Sequence, residues 1–174
     1  MTTQTDVLSS QLHQTGFIVN EDRCRIKAVA FRGTSTEGTL ELFATGAAPA
    51  SATYTQLLNT VTITKVAHGL STGNVVGIGF IHSGGAFTPQ PGNFEITVVD
   101  ADTFTVPQVN AGTVLGTNVC YYVFGNGNRW IAAWETEAGD TSGQYFLLPG
   151  EGVLARERVY ALMNGVHSAT VFYG

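Results

Sequence analysis

Charge is what this chain has least of. Charged residues make up 12% of its 174 positions, about half the share usual in globular proteins. The 8 Lys and Arg are scattered and the net charge is −5, so no basic stripe exists to track phosphates and nucleic acid is excluded as an expected partner. Cysteine is almost absent: Cys24 and Cys120 lie far apart; a disulfide between them is one reading, but two reduced thiols, as in a protein assembled in a reducing compartment, are the expectation. No apolar run reaches the ~20 residues that a bilayer-spanning helix needs, so no membrane partner is expected. The start, Met-Thr-Thr-Gln-Thr-Asp, lacks the basic region and apolar core of a secretory signal.

Reactive motifs are missing as well. The four histidines, His13, His68, His82 and His167, show neither HExxH nor any i, i+4 pairing. His68 lies in a turn and reads as a structural ring bonded to a loop carbonyl. Asp100-x-Asp102 begins like a calcium loop, but the Gly and distal Glu of that motif are lacking, so it reads as a turn. Gly77-x-Gly79 has no strand–helix context for a dinucleotide. Ser71 stands in no Gly-x-Ser-x-Gly elbow. No acid–base pair can be named. The expectation is a non-enzyme with no catalytic residues, no cofactor and no metal.

What is abundant is glycine (21 residues), threonine and apolar side chains, the hydrophobic share being 44%. That mixture favours strands and turns, hence an all-β class. The segment 45–127, with its core at 61–108, reads as an inserted β module. Val61 to Thr64 alternates as a half-buried strand. Val76, Ile78 and Phe80 share a face of a second strand, whose Gly77 and Gly79 imply a bend or a close backbone approach. Phe94, Ile96 and Val98 line a third, and Thr103 to Val106 a fourth that Pro107 ends. Four short strands can form a small barrel or a curled sheet, marginal alone. Phe87, in a Gly/Pro-rich loop, is a candidate exposed anchor.

The flanking segments, 1–44 and 128–174, read as one discontinuous host domain. Strands are expected around residues 7–14, 15–19, 25–31 and 39–43, followed by a small, uncharged linker over 46–52. Residues 114–127 are ambiguous, although Cys120 to Phe124 is β-rich. Trp130 to Glu135 places Trp130 and Trp134 on one face, as core, as subunit interface or as a sugar-stacking pair. Val153 to Met163 favours a strand pair over a helix, because glycines bound it. Neither half has strands enough to close alone, so the host is expected to be an antiparallel β-sandwich of jelly-roll type, carrying a barrel-like insert.

Two resemblances add to this reading. Ala67-His68-Gly69-Leu70, Thr72-Gly73-Asn74-Val75-Val76 and Phe94 to Val106 (FEITVVDADTFTV) together resemble a small β module found in bacteriophage tail and virion proteins. With 45–127 removed, the remainder resembles a family of short phage virion-associated proteins. The residues concerned are Arg25-Ile26-Lys27, Gly38-Thr39-Leu40-Glu41-Leu42, Leu148-Pro149-Gly150-Glu151-Gly152-Val153-Leu154, Val159-Tyr160-Ala161-Leu162 and Ser168 to Gly174. The charged stretch Ala155-Arg156-Glu157-Arg158 departs from that family's pattern. The resemblance implies a structural protein of a virion, assembled in the host cytoplasm. It would be a multicopy decoration or accessory subunit of capsid or tail, packed on other virion proteins. A carbohydrate- or receptor-binding module of the same particle is the alternative. Low surface charge beside many aromatic residues further leads us to expect a homo-oligomer.

Overall fold

A computed structural model describes residues 7–81 and 89–174; the polar N-terminal arm and Phe87 lie outside these. Among the described residues there are fourteen strands and no helix. The chain separates into two compact units, one of residues 1–48 with 131–174, the other of residues 49–130.

The first unit holds two sheets. One contains β1 (Leu8–Ser9), β14 (Val166–Tyr173), β3 (Cys24–Gly33) and β11 (Gly143–Leu147) in that order, with β12 (Val153–Ala155) also on β3. The other runs β10 (Arg129–Thr136), β4 (Gly38–Ala44), β13 (Val159–Asn164), β2 (Phe17–Asn20). Taking β11 and β12 as one interrupted strand, the host strands fall in the orders 1-8-3-6 and 2-7-4-5. That is the strand order of a jelly roll. Ile26, Val29 and Val171 of the first sheet share a core with Leu40, Leu42, Val159 and Ala161 of the second, all fully buried. Each such side chain contributes roughly 1.5–3 kcal/mol through removal from water. The expected all-β sandwich is therefore present, and 153–163 forms two strands and no helix, β12 in one sheet and β13 in the other.

Strand β3 is the hub. It takes β14 along one edge and β11, then β12, along the other. Between β11 and β12 the chain makes the turn Pro149-Gly150-Glu151-Gly152, closed by Gly152 N–H donating to the Pro149 carbonyl. Gly152 has φ +76°, and a Cβ there would lie 2.2 Å from the Ile26 carbonyl oxygen. Only glycine satisfies both constraints. Lys27 Nζ donates to the Glu151 carbonyl at 2.9 Å, and Val153 and Tyr173 both pair with Ile26. The final residue closes the same corner, since Gly174 and Arg25 exchange backbone hydrogen bonds in both directions. The charged stretch has a local function too. Arg158 pairs with Glu21 and donates to the Gly46 carbonyl, while its own carbonyl accepts from Thr45 N–H.

The second unit is one sheet, ordered β5 (Ala50–Thr64), β9 (Thr103–Val123), β6 (Val75–Phe80), β7 (Gly92–Glu95), with β8 (Thr97–Val98) also on β9. It is an open sheet and not a barrel: β5 and β7 stand at opposite ends of the order, with no pairing between them among the described residues. Two other expectations need correction. The segment 46–52 is not all linker, because β5 begins at Ala50. Pro107 does not end a strand, because β9 continues to Val123 and takes in the ambiguous stretch. Proline is tolerated there because its partner Thr60 lies at a register shift, where a ladder hydrogen bond is already lost.

That shift is one of two in the β5–β9 ribbon. Leu58 pairs with Gly112 and Thr60 with Pro107, so Asn59 faces the four residues 108–111. Tyr54 pairs with Asn118 and Gln56 with Val114, so Thr55 faces residues 115–117. Bulges bend and twist a ribbon, and here both ends reach one core: Val61, Ile63, Phe104 and Val106 from one end, Tyr54, Cys120 and Tyr122 from the other. Side-chain amides satisfy the released carbonyls. Gln56 Nε2 donates to Leu58 and Asn110, Asn59 Nδ2 to Gln108 and Val109, and Asn118 Nδ2 to Leu115. Gly77 of β6 makes the close approach that the sequence implied, its missing Cβ lying 2.2 Å from Trp130 N.

Gly152→Ala should destabilise the protein by about 2–3 kcal/mol, seen as a fall of roughly 5–10 °C in Tm. Gly46→Ala, where a Cβ meets nothing within 4 Å, should leave Tm unchanged.

Candidate interaction surface

The sequence-selected residues end up in different settings. Trp134 packs, half-buried, on the jelly-roll core. Trp130, in the second unit, has its backbone held by Asn93: Trp130 N–H donates to Asn93 Oδ1 at 2.9 Å, and Asn93 Nδ2 donates to the Trp130 carbonyl at 3.0 Å. Its indole Nε1 is buried and has no acceptor among the described residues. Phe87 lies outside the described residues. Of the many aromatic residues, Phe31, Phe43 and Tyr122 are buried, whereas Phe124, Tyr145 and Phe146 are exposed.

His68 organises the turn between β5 and β6. Leu70 N–H donates to Nδ1 at 3.0 Å, so Nδ1 carries a lone pair and the ring proton sits on Nε2. Nε2 then donates to the Asp100 carbonyl at 3.1 Å. The ring also meets Phe104 edge-on, with centroids 5.2 Å apart. Asp102 Oδ1 accepts from Ala67 N–H, and Asp100 Oδ1 from Asp102 N–H. Both nitrogens of the imidazole and one oxygen of each carboxylate are thus used in tying two turns together. Among the described residues no three His, Cys, Asp or Glu side chains converge as a metal site. Cys24 and Cys120 are both buried, and neither is in a disulfide.

Among the described residues of the second unit, two open features stand apart from the His68 turn. A groove of about 400 Å³ is lined by Thr60, Thr72, Thr97, Thr105, Glu95 and Pro107 among others. Thr72 Oγ1 already accepts from Val98 N–H and Thr105 Oγ1 donates to the Thr97 carbonyl. The other feature is the exposed back of the β5–β9 ribbon. Neither strand carries an Asp, Glu, Lys, Arg or His, and aliphatic side chains project from it. No protein-family model matches the chain, and no curated protein matches it either.

Sequence reasoning missed Glu41. It alternates with Leu40 and Leu42, which face the jelly-roll core, and alternation alone turns it to the opposite side of the strand. Instead all seven residues of β4 are buried. Glu41 is 1% exposed, and among the described residues neither carboxylate oxygen has a hydrogen-bond partner. Burial first, and the like charge of Glu135 second, push its carboxyl up to about 8. The group is therefore neutral in the folded protein at pH 7 and ionised in the unfolded chain.

Two measurements follow from these sites. Because the folded pKa of Glu41 is raised, its penalty is absent below about pH 4.5, grows as pH rises toward 8 and is constant above. At roughly 1.4 kcal/mol per unit, it reaches a few kcal/mol. Denaturant melts of Glu41→Gln and the parent should agree near pH 4 and separate up to pH 8, the variant being the more stable; parallel curves would refute the buried carboxyl. His68→Ala should cost about 1–2 kcal/mol through two lost hydrogen bonds, while a chelator should leave Tm unchanged.

Proposed function

We propose that the protein is a non-enzymatic structural subunit of a bacteriophage particle, a multicopy decoration or accessory protein of capsid or tail. It is assembled in the host cytoplasm, packs on other virion proteins and associates with copies of itself. One observation carries this reading. The residues that resemble the short phage family are the ones that close the jelly roll. Arg25-Ile26-Lys27, the Pro-Gly-Glu-Gly turn and the terminal Tyr173-Gly174 meet around Ile26 through the steric demand on Gly152 and the backbone exchange between Gly174 and Arg25. A likeness concentrated on fold-determining contacts supports common architecture better than one spread over surface positions. The low charge and the exposed aliphatic ribbon suit a chain that meets protein neighbours.

The alternative is a carbohydrate- or receptor-binding module of the same particle. It draws on the threonine-lined groove with Glu95, whose hydroxyl and carboxylate groups suit sugar hydroxyls. Among the described residues no aromatic side chain lines that groove, and an aromatic stacking platform is the usual apolar component of such sites, so the structural reading is favoured.

Cryo-electron microscopy of the particle that encodes the chain tests the proposal. The expected result is repeated, symmetric density for the jelly roll against capsid or tail subunits. Absence of the protein from purified particles would refute it. Saturable glycan binding abolished by Glu95→Ala would replace it with the alternative.

A further inference from the structure

The two bulges of the β5–β9 ribbon do more than bend it. Each turns an aliphatic side chain outward. Val109 stands in the first bulge at 93% exposure and Leu115 in the second at 76%. Leu57 (66%) and Leu58 (64%) lie on β5 between them. Single exposed aliphatics are ordinary, but four on one short stretch are not. Leu58 also has φ +53°, a left-handed conformation that glycine or asparagine adopts more easily than a leucine. A bulky residue kept where a smaller one would be less strained points to a use for the side chain.

The ridge is also built in advance. Gln56, Asn59 and Asn118 bond the carbonyls that the bulges release, so its shape does not await a partner. Ordering on contact then costs little.

The nature of the partner follows from charge. All 21 charged residues of the chain lie outside β5 and β9. A charged partner would find no complement on the ridge, and an anionic lipid surface would be repelled by a chain of net charge −5. Two identical ridges can meet without opposing like charges, as an interface between copies requires. We propose that the ridge of Leu57, Leu58, Val109 and Leu115 is a self-association surface, occupied by the same ridge of a second copy. This inference rests on the multicopy reading above and names the surface that serves it.

Sedimentation velocity across about 1–100 µM, the micromolar range of moderate interfaces, tests it on the full chain. The parent should associate with increasing concentration. Leu57→Glu/Leu115→Glu should raise the dissociation constant at least about tenfold, since like charges would then face each other. Leu58→Gly is the second variant. It relieves backbone strain, so Tm should hold or rise while association weakens. If the ridge had only a folding role, Leu58→Gly would leave association unchanged, which overturns the proposal. A double-glutamate variant that associates as well as the parent overturns the surface but leaves self-association standing. A parent that stays monomeric at the highest concentration overturns both. Backbone amides of residues 55–60 should also gain hydrogen-exchange protection with concentration in the parent alone, and no gain would likewise count against the ridge.

Discussion

The host domain depends on what surrounds one carbonyl, that of Ile26. Strand β3 must accept partners on both edges to be the middle of its sheet, and one of those partners is broken. The chain leaves β11, turns through Pro-Gly-Glu-Gly and returns as β12 on the same edge. The turn fits only because Gly152 brings bare backbone against Ile26 O. Once it is made, Lys27 is anchored to Glu151, Val153 finds its register, and the C-terminal strand completes the opposite edge. A jelly roll joins residues distant in sequence, so little of it can form before these long-range pairings exist. A single tight corner that fixes three strands at once limits how many registers compete.

The inserted unit solves the same problem differently. It has few strands, so two of them are long and bent. Bending frees backbone carbonyls, and three amide side chains, Gln56, Asn59 and Asn118, take them up. Asparagine and glutamine are neutral, which lets a curved ribbon keep its hydrogen bonds without bringing charge to its surface. The same economy leaves the ribbon's back apolar.

Much of the host was legible in its sequence because its signals are local. Alternation marks Leu40 and Leu42, glycines bound β13, and Pro149 to Gly152 announces a turn whatever packs on it. The inserted unit was less legible. Pro107 reads as a strand breaker, and in a flat strand it would be; at a bulge it is tolerated, and nothing local reveals a bulge. The barrel-like expectation failed for that reason, since one strand of 21 residues was read as a short strand and an ambiguous tail. His68 was legible as structural because its turn glycines left little room for another role. Glu41 was not. A Glu between two leucines is the usual mark of a half-buried strand, and only the covering of the strand's second face makes it a buried acid.

The insertion point has an evolutionary consequence. β4 and β10 are neighbours in one sheet, so the host asks only that whatever joins them begin and end close together. The inserted unit meets that condition within itself, because Ala50 at its start pairs with Tyr122 near its end. A folded insert with paired ends imposes little of the loop-closure entropy that a flexible segment of equal length would. The β4–β10 connection is thus a socket. Any small domain with adjoining termini could be exchanged there without disturbing the corner at Ile26, so one scaffold could acquire new surfaces while its own core stays under unchanged selection.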